Sequence, residues 1–137
     1  MTTVDRVMAL RRVSFFADVP GRTLASVAVR AGEVEVGTGD VVIEQGAVED
    51  HLFVVVRGRL VARDGDRVLR ELEAGSTVGE LAALAPEPRS ATVAALAPTL
   101  LLRIDRPVLD ELLADHPELA RGVIRSLVRM IRSSGSA

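Results

Sequence analysis

The sequence predicts a mainly β domain with flanking α-helices: an antiparallel β-roll, closed like a jelly-roll barrel, with N-terminal helices before it and two C-terminal helices after it. Three observations predict it. Apolar residues recur at helical spacing at both ends of the chain, the middle alternates or runs β-branched, and glycines cut that middle into short strands.

The elements follow in order. Up to about Val13, the apolar Val4, Val7, Met8 and Leu10 recur at near-helical spacing behind a threonine cap, and Phe15, Phe16 and residues 24–29 repeat the pattern around Pro20-Gly21. After Ala31-Gly32 the stretches EVEVGTGDVVIEQG and HLFVVVRGRLVARDGDRVLREL read as strands, punctuated by Gly37, Gly39, Gly46, Gly58 and Gly65. The strongest hairpin signal is RDGD, residues 63–66, because an Asp-Gly pair tolerates the positive φ angles of a tight turn. ATVAALAPTLLLRI supplies the last strands. From Asp105-Arg106-Pro107 the helical period returns, and VLDELLADHPELARGVIRSLVRMIR carries two apolar faces separated at His116-Pro117, where Pro starts the second helix. The final SSGSA reads as a frayed or artificial end. With no internal repeat and no low-complexity linker, residues 1–137 are expected to be one domain.

Composition narrows the function. The chain is 48% hydrophobic with three Phe and no Trp or Tyr, so Val, Leu, Ile and Ala must build the interior. A net charge of −2, with acids and bases mixed, argues against a chain whose task is neutralising nucleic-acid phosphates. The absence of cysteine removes disulfides and thiolate metal sites and suits the cytoplasm. No apolar run reaches the ~18 residues that span a bilayer, and MTTVDRVMALRR lacks the apolar core of a secretory signal.

The chemistry concentrates in VGELAALAPEPRSATV, residues 78–93, where Glu80 and Arg89 stand nine residues apart in an apolar neighbourhood. Gly79 removes a side chain where a backbone must approach something closely, and ELAAL can form one helical turn before Pro86, its first amides free to meet an anion. The Glu80 carboxylate only accepts hydrogen bonds, so its natural external partner is a hydroxyl. Arg89 offers a planar fork of donors that matches a phosphate or carboxylate, and Ser90 adds a hydroxyl beside it. A ligand with a phosphate next to a sugar hydroxyl satisfies all these groups at once, and a cyclic nucleotide is such a ligand. The competing reading is a structural Glu80–Arg89 ion pair.

GELAAL, a short proline loop and PRSATV together resemble the phosphate-binding cassette of the cyclic nucleotide-binding domain family, which includes bacterial cAMP receptor regulators and the regulatory subunits of cAMP-dependent protein kinase. IEQGAVEDHLFVVVRGRL, LRRVSFFADVPGRTL and RIDRPVLDELLADHPELARGVIRSLVRMI are similar to the family's strand, lead-in and C-terminal helix patterns, so the likeness covers roughly residues 8–131, the expected core of the domain. Val78 departs from it, standing where an aromatic is common before Gly-Glu.

The resemblance implies that Glu80 accepts the ribose 2′-hydroxyl and that Arg89 pairs with the cyclic phosphate. Gly79 then permits the close approach, the amides of Leu81 and Ala82 and the Ser90 group complete the cradle, and Ala62 and Leu69 face the base. Ser134, or else Met130 and Ile131, would close over the base from the last helix. It further implies a regulatory sensor and not an enzyme, cAMP preferred over cGMP, signalling by movement of the C-terminal helices, and no cofactor beyond the nucleotide ligand. Remaining partners would be an effector domain or protein outside this chain and a second copy in a homodimer. DNA binding is not expected, because the helix-turn-helix that the bacterial regulators use is missing from residues 1–137.

Other readings compete with the sensor. The same fold could serve as a ligand-free protein-interaction domain. A cupin-like metalloenzyme would need clustered histidines, and no H-x-H occurs. His51 and His116 therefore read as lone histidines and no metal is expected, while Arg121, Arg125, Arg129 and Arg132 read as a solvated helix face.

Overall fold

Short β-branched runs broken by glycine are too brief to bury an apolar face alone, so they pair into layers. The computed structural model describes residues 1–79 and 87–133. Glu80, Leu81, Ala82 and Ser134 lie outside the described residues.

The strands are β1 (Gly32–Val36), β2 (Val41–Ile43), β3 (Val48–Glu49), β4 (Leu52–Arg57), β5 (Leu60–Asp64), β6 (Arg67–Leu72), β7 (Thr77–Val78), β8 (Glu87–Pro88), β9 (Thr92–Ala95) and β10 (Thr99–Ile104). They form two four-stranded sheets, ordered β1-β10-β4-β7 and β2-β9-β5-β6, and a two-stranded β3-β8 ladder. Every pairing is antiparallel. The core follows from the period of two. Phe53, Val55, Val78 and Leu101 from the first sheet cluster with Ile43, Leu60, Ala62, Leu72, Val93 and Ala95 from the second. The arrangement is the antiparallel roll with flanking helices that the patterning predicts.

The hairpin between β5 and β6 forms where expected, with one correction. Its two turn residues are Gly65 and Asp66, one position later than the Asp64-Gly65 pair. Gly65 has φ of +58° and Asp66 is not among the positive-φ residues, the pattern of a turn with glycine first. Asp64 stays on the strand and accepts from Gln45 Nε2 at 2.9 Å, while Gln45 Oε1 accepts from Gly65 N–H at 3.2 Å.

The strands belong to one contact-defined unit, Ala31–Arg106, and the terminal segments to another. In the latter, α1 (Thr3–Arg11) starts at a capping box in which Thr2 and Asp5 satisfy each other's backbone N–H groups. A 3-10 turn (Ser14–Phe16) buries both its phenylalanines, packed edge to face, and α2 (Gly21–Arg30) follows. α3 (Arg106–Asp115) and α4 (Pro117–Ser133) break at His116, as the proline predicts. Gly122 lets α4 pass close to Val19, since a Cβ there would sit 3.0 Å from Val19 Cγ2. The arginines expected to be solvated are partly used: Arg129 and Arg125 reach Asp18 at 3.0 and 3.9 Å.

Candidate ligand-binding site

The site is built by three chain segments that the sheet topology brings to one guanidinium. β8 pairs with β3 through Val48 and Pro88, and the ladder continues at Arg89, whose N–H donates to Ala47 O and whose carbonyl accepts from Gly46 N–H, both at 2.8 Å. The backbone of Arg89 is thus clamped on both sides by the turn before β3, which Gly46 permits with a φ of +86°. Gln45 ties the same turn to β9, its N–H donating to Thr92 Oγ1 at 3.1 Å.

Arg89 leaves this clamp inward and is only 6% exposed. A buried guanidinium needs partners. One is the carbonyl of His51, which accepts from Nη2 at 2.7 Å. Among the described residues the guanidinium also meets Gly79. Its φ is +84°, and a Cβ added there would fall on Arg89 Nη1 and stand 2.9 Å from both Arg89 Cζ and His51 O. Gly79 is therefore a double requirement: its backbone is left-handed and the guanidinium lies against its bare Cα. β7 delivers Gly79 here because Val78 pairs with Phe53, just beyond His51. The residue before the glycine is thus a buried β partner, and a valine fills that place.

His51 itself is held. Its Nε2 lies 2.9 Å from Glu49 Oε2 and its ring stands edge-on to Phe53, centroids 5.1 Å apart at 84°. Burial, then the nearby Arg103 guanidinium, pushes the imidazole below its ordinary pKa; Glu49 opposes the shift, and Arg89 adds to it. The sequence reading took His51 for a lone histidine and missed Glu49. The available signal was spacing, since positions 49 and 51 share one face of an extended chain.

Of the other expected site residues, Ser90 is exposed beside Arg89, and Ala62 is buried opposite Val93 on β9. Leu69 is 43% exposed; β6 carries a bulge there, the register running Ala62–Arg70 and then Arg63–Val68, so Leu69 is the extra residue next to Ala62. Met130 and Ile131 are exposed on α4. The described part of the site thus brings Gly79, Arg89 and Ser90 together, with Ala62 on the strand beside β9.

A family model, the cyclic nucleotide-binding domain, matches residues 33–116. The chain belongs to that family. It is 36% identical over 104 residues to a cAMP-dependent protein kinase regulatory subunit of Blastocladiella emersonii, covering 72% of this chain and 26% of that protein. It is 25% identical over 138 residues to a CRP-like cAMP-activated global transcriptional regulator of Mycobacterium tuberculosis, covering 97% of this chain and 61% of the regulator. The chain therefore spans about a quarter of the first relative and three fifths of the second. Among solved structures it resembles the N-terminal domain of a transcriptional regulator from Streptomyces coelicolor, with a TM-score of 0.84 and 30% identity over 94% of this chain and 96% of that one. The domain is thus of a kind found in regulatory proteins. Among the described residues no helix is long and apolar enough to cross a membrane.

Proposed function

We propose that the chain is a cytoplasmic sensor module that binds a 3′,5′-cyclic nucleotide, cAMP in preference to cGMP, and performs no catalysis of its own. The observation that carries this reading is the buried Arg89 guanidinium, held by the His51 carbonyl against the left-handed Gly79 in a chain of this family. Arg89 takes the cyclic phosphate, with Ser90 and the amides of Leu81 and Ala82 completing the cradle. Glu80 takes the ribose 2′-hydroxyl, and Ala62 and Leu69 meet the base. The preference for cAMP is supported by two relatives whose names carry that ligand. The signal passes through α3 and α4 to an effector outside residues 1–137, and a second copy joins along the exposed Ile124, Val128 and Ile131 of α4.

Calorimetric titration with cAMP, cGMP and 5′-AMP tests the core of the reading: cAMP binds tightest and 5′-AMP, lacking the ring, binds least. Equal affinities for cAMP and cGMP overturn the preference, and absence of binding to either at millimolar concentration leaves the ligand-free interaction domain as the reading. Sedimentation of wild type beside Ile124→Arg decides the homodimer, which requires a dimer that the charge dissociates.

A further inference from the structure

We propose that His51 is a positioning residue of the phosphate site and that it takes up a proton as the anionic ligand binds. This rests on reading the cassette as a cyclic-nucleotide site. His51 occupies a joint: its main-chain oxygen accepts from Arg89 Nη2 at 2.7 Å, and its ring is fixed by Glu49 at 2.9 Å and by the edge-on Phe53. The ring therefore anchors the peptide unit that aims the guanidinium. A carboxylate oxygen can only accept, so Nε2 bears the proton facing Glu49 and Nδ1 is the nitrogen that titrates.

Charges meet this ring from four directions: Glu49 on β3, Arg89 after β8, Arg103 on β10 and Asp105 beyond it. Burial and Arg103 hold the imidazole below its ordinary value of 6.5, with Arg89 pressing the same way and Glu49 and Asp105 opposing. In the free domain, a second proton on His51 thus stands against two guanidinium groups. A phosphate on Arg89 cancels part of that field, so the proton becomes easier to hold in the complex. A group whose proton affinity rises on binding takes up a proton with the ligand, and binding therefore strengthens as pH falls through its titration range. The cyclic phosphodiester stays anionic throughout, so the ligand's own charge does not produce the effect.

The test is calorimetric titration of the chain with cAMP from about pH 8 to about pH 5.5, where affinity is expected to rise roughly three- to tenfold, the equivalent of about half to one pKa unit. His51→Gln keeps an Nε2 donor for Glu49 without a titrating ring, so its affinity loses the pH slope. His51→Ala binds more weakly at every pH. In wild type, which has two histidines, the NMR titration midpoint of the His51 ring moves up on saturation with cAMP while that of His116 does not. This measurement still decides the matter if a His51 variant fails to fold, with His116→Asn then assigning the signals. A wild type that binds cAMP with a flat pH profile, a His51→Gln variant that retains the slope, or a His51→Ala variant that binds like wild type overturns the proposal. A wild type that binds no cyclic nucleotide overturns instead the reading of the site, and the proposal with it.

Discussion

At the scale of single residues, the site depends on a cation placed where water cannot solvate it. Truncating one partner of a buried, hydrogen-bonded charge pair costs ~2 to 5 kcal/mol, so Arg89→Ala is expected to weaken cAMP binding by some tens of fold or more in a calorimetric titration. Arg89→Lys keeps the charge but not the fork, so it restores little. Gly79→Ala acts differently. The new methyl must displace the guanidinium, and the left-handed backbone adds strain on the order of 1 to 3 kcal/mol. Thermal unfolding should therefore show lost stability along with lost affinity, whereas a Gly79→Ala protein that melts and binds like wild type contradicts the contact. Arg89 was legible in the sequence because a guanidinium beside a hydroxyl in an apolar neighbourhood asks for an anion. Its anchor was not. The His51 carbonyl is backbone and has no residue signature, and the Glu49 partner depends on the chain being extended between positions 49 and 51.

At the scale of elements, boundaries were legible where a residue has only one geometric use. Pro117 starts α4, and a threonine caps α1. The hairpin was placed one residue early, because Asp-Gly and Gly-Asp both suit tight turns and the pair overlaps itself in DGD; the Gln45 contacts hold Asp64 on the strand. Gly58, between β4 and β5, has φ of +101°, and a Cβ there would come within 2.6 Å of Pro98 O and Thr99 Cα. These two atoms are backbone and cannot swing aside, and the Thr99 Oγ1 hydroxyl crowds the same position, so Gly58→Ala is expected to destabilise by ~2 kcal/mol or more in denaturant unfolding, far beyond the usual surface substitution. A second element-level prediction concerns α2 and α4. Thr23 Oγ1 donates to Glu118 Oε1 at 2.6 Å, and that hydrogen bond chiefly holds the carboxyl below its ordinary value of 4.5. A carboxyl depressed in the folded state stabilises above its unfolded pKa and loses that contribution as pH falls through the folded one. Thr23→Val should therefore lower the melting temperature near neutral pH, with a gap from wild type that narrows as acid protonates Glu118. A gap independent of pH assigns the loss to packing instead.

At the scale of the whole molecule, the fold class was legible because helical period at both ends and glycine-broken strands between them agree with each other. What the sequence leaves unread is which flanking charges act together: Asp18 collects Arg125 and Arg129 across more than a hundred residues, a pairing that no local pattern predicts. The function proposed for the chain is itself a statement at this scale, since a sensor must change its stability and its helices when it binds. Ligand at 100 times its dissociation constant adds ~2.7 kcal/mol to a domain that binds only when folded. For a domain of this size that raises the melting temperature by about 8 °C, at roughly 3 °C per kcal/mol. Stabilisation alone does not make a signal, because a ligand shifts a conformational equilibrium only by its differential affinity for the two states. The decisive observation is therefore in the amide spectra of α3 and α4. Saturating cAMP should move resonances there as well as near Gly79 and Arg89, and Arg89→Ala should abolish both sets of shifts. Changes confined to the strands would leave a domain that binds its ligand but does not transmit through these helices.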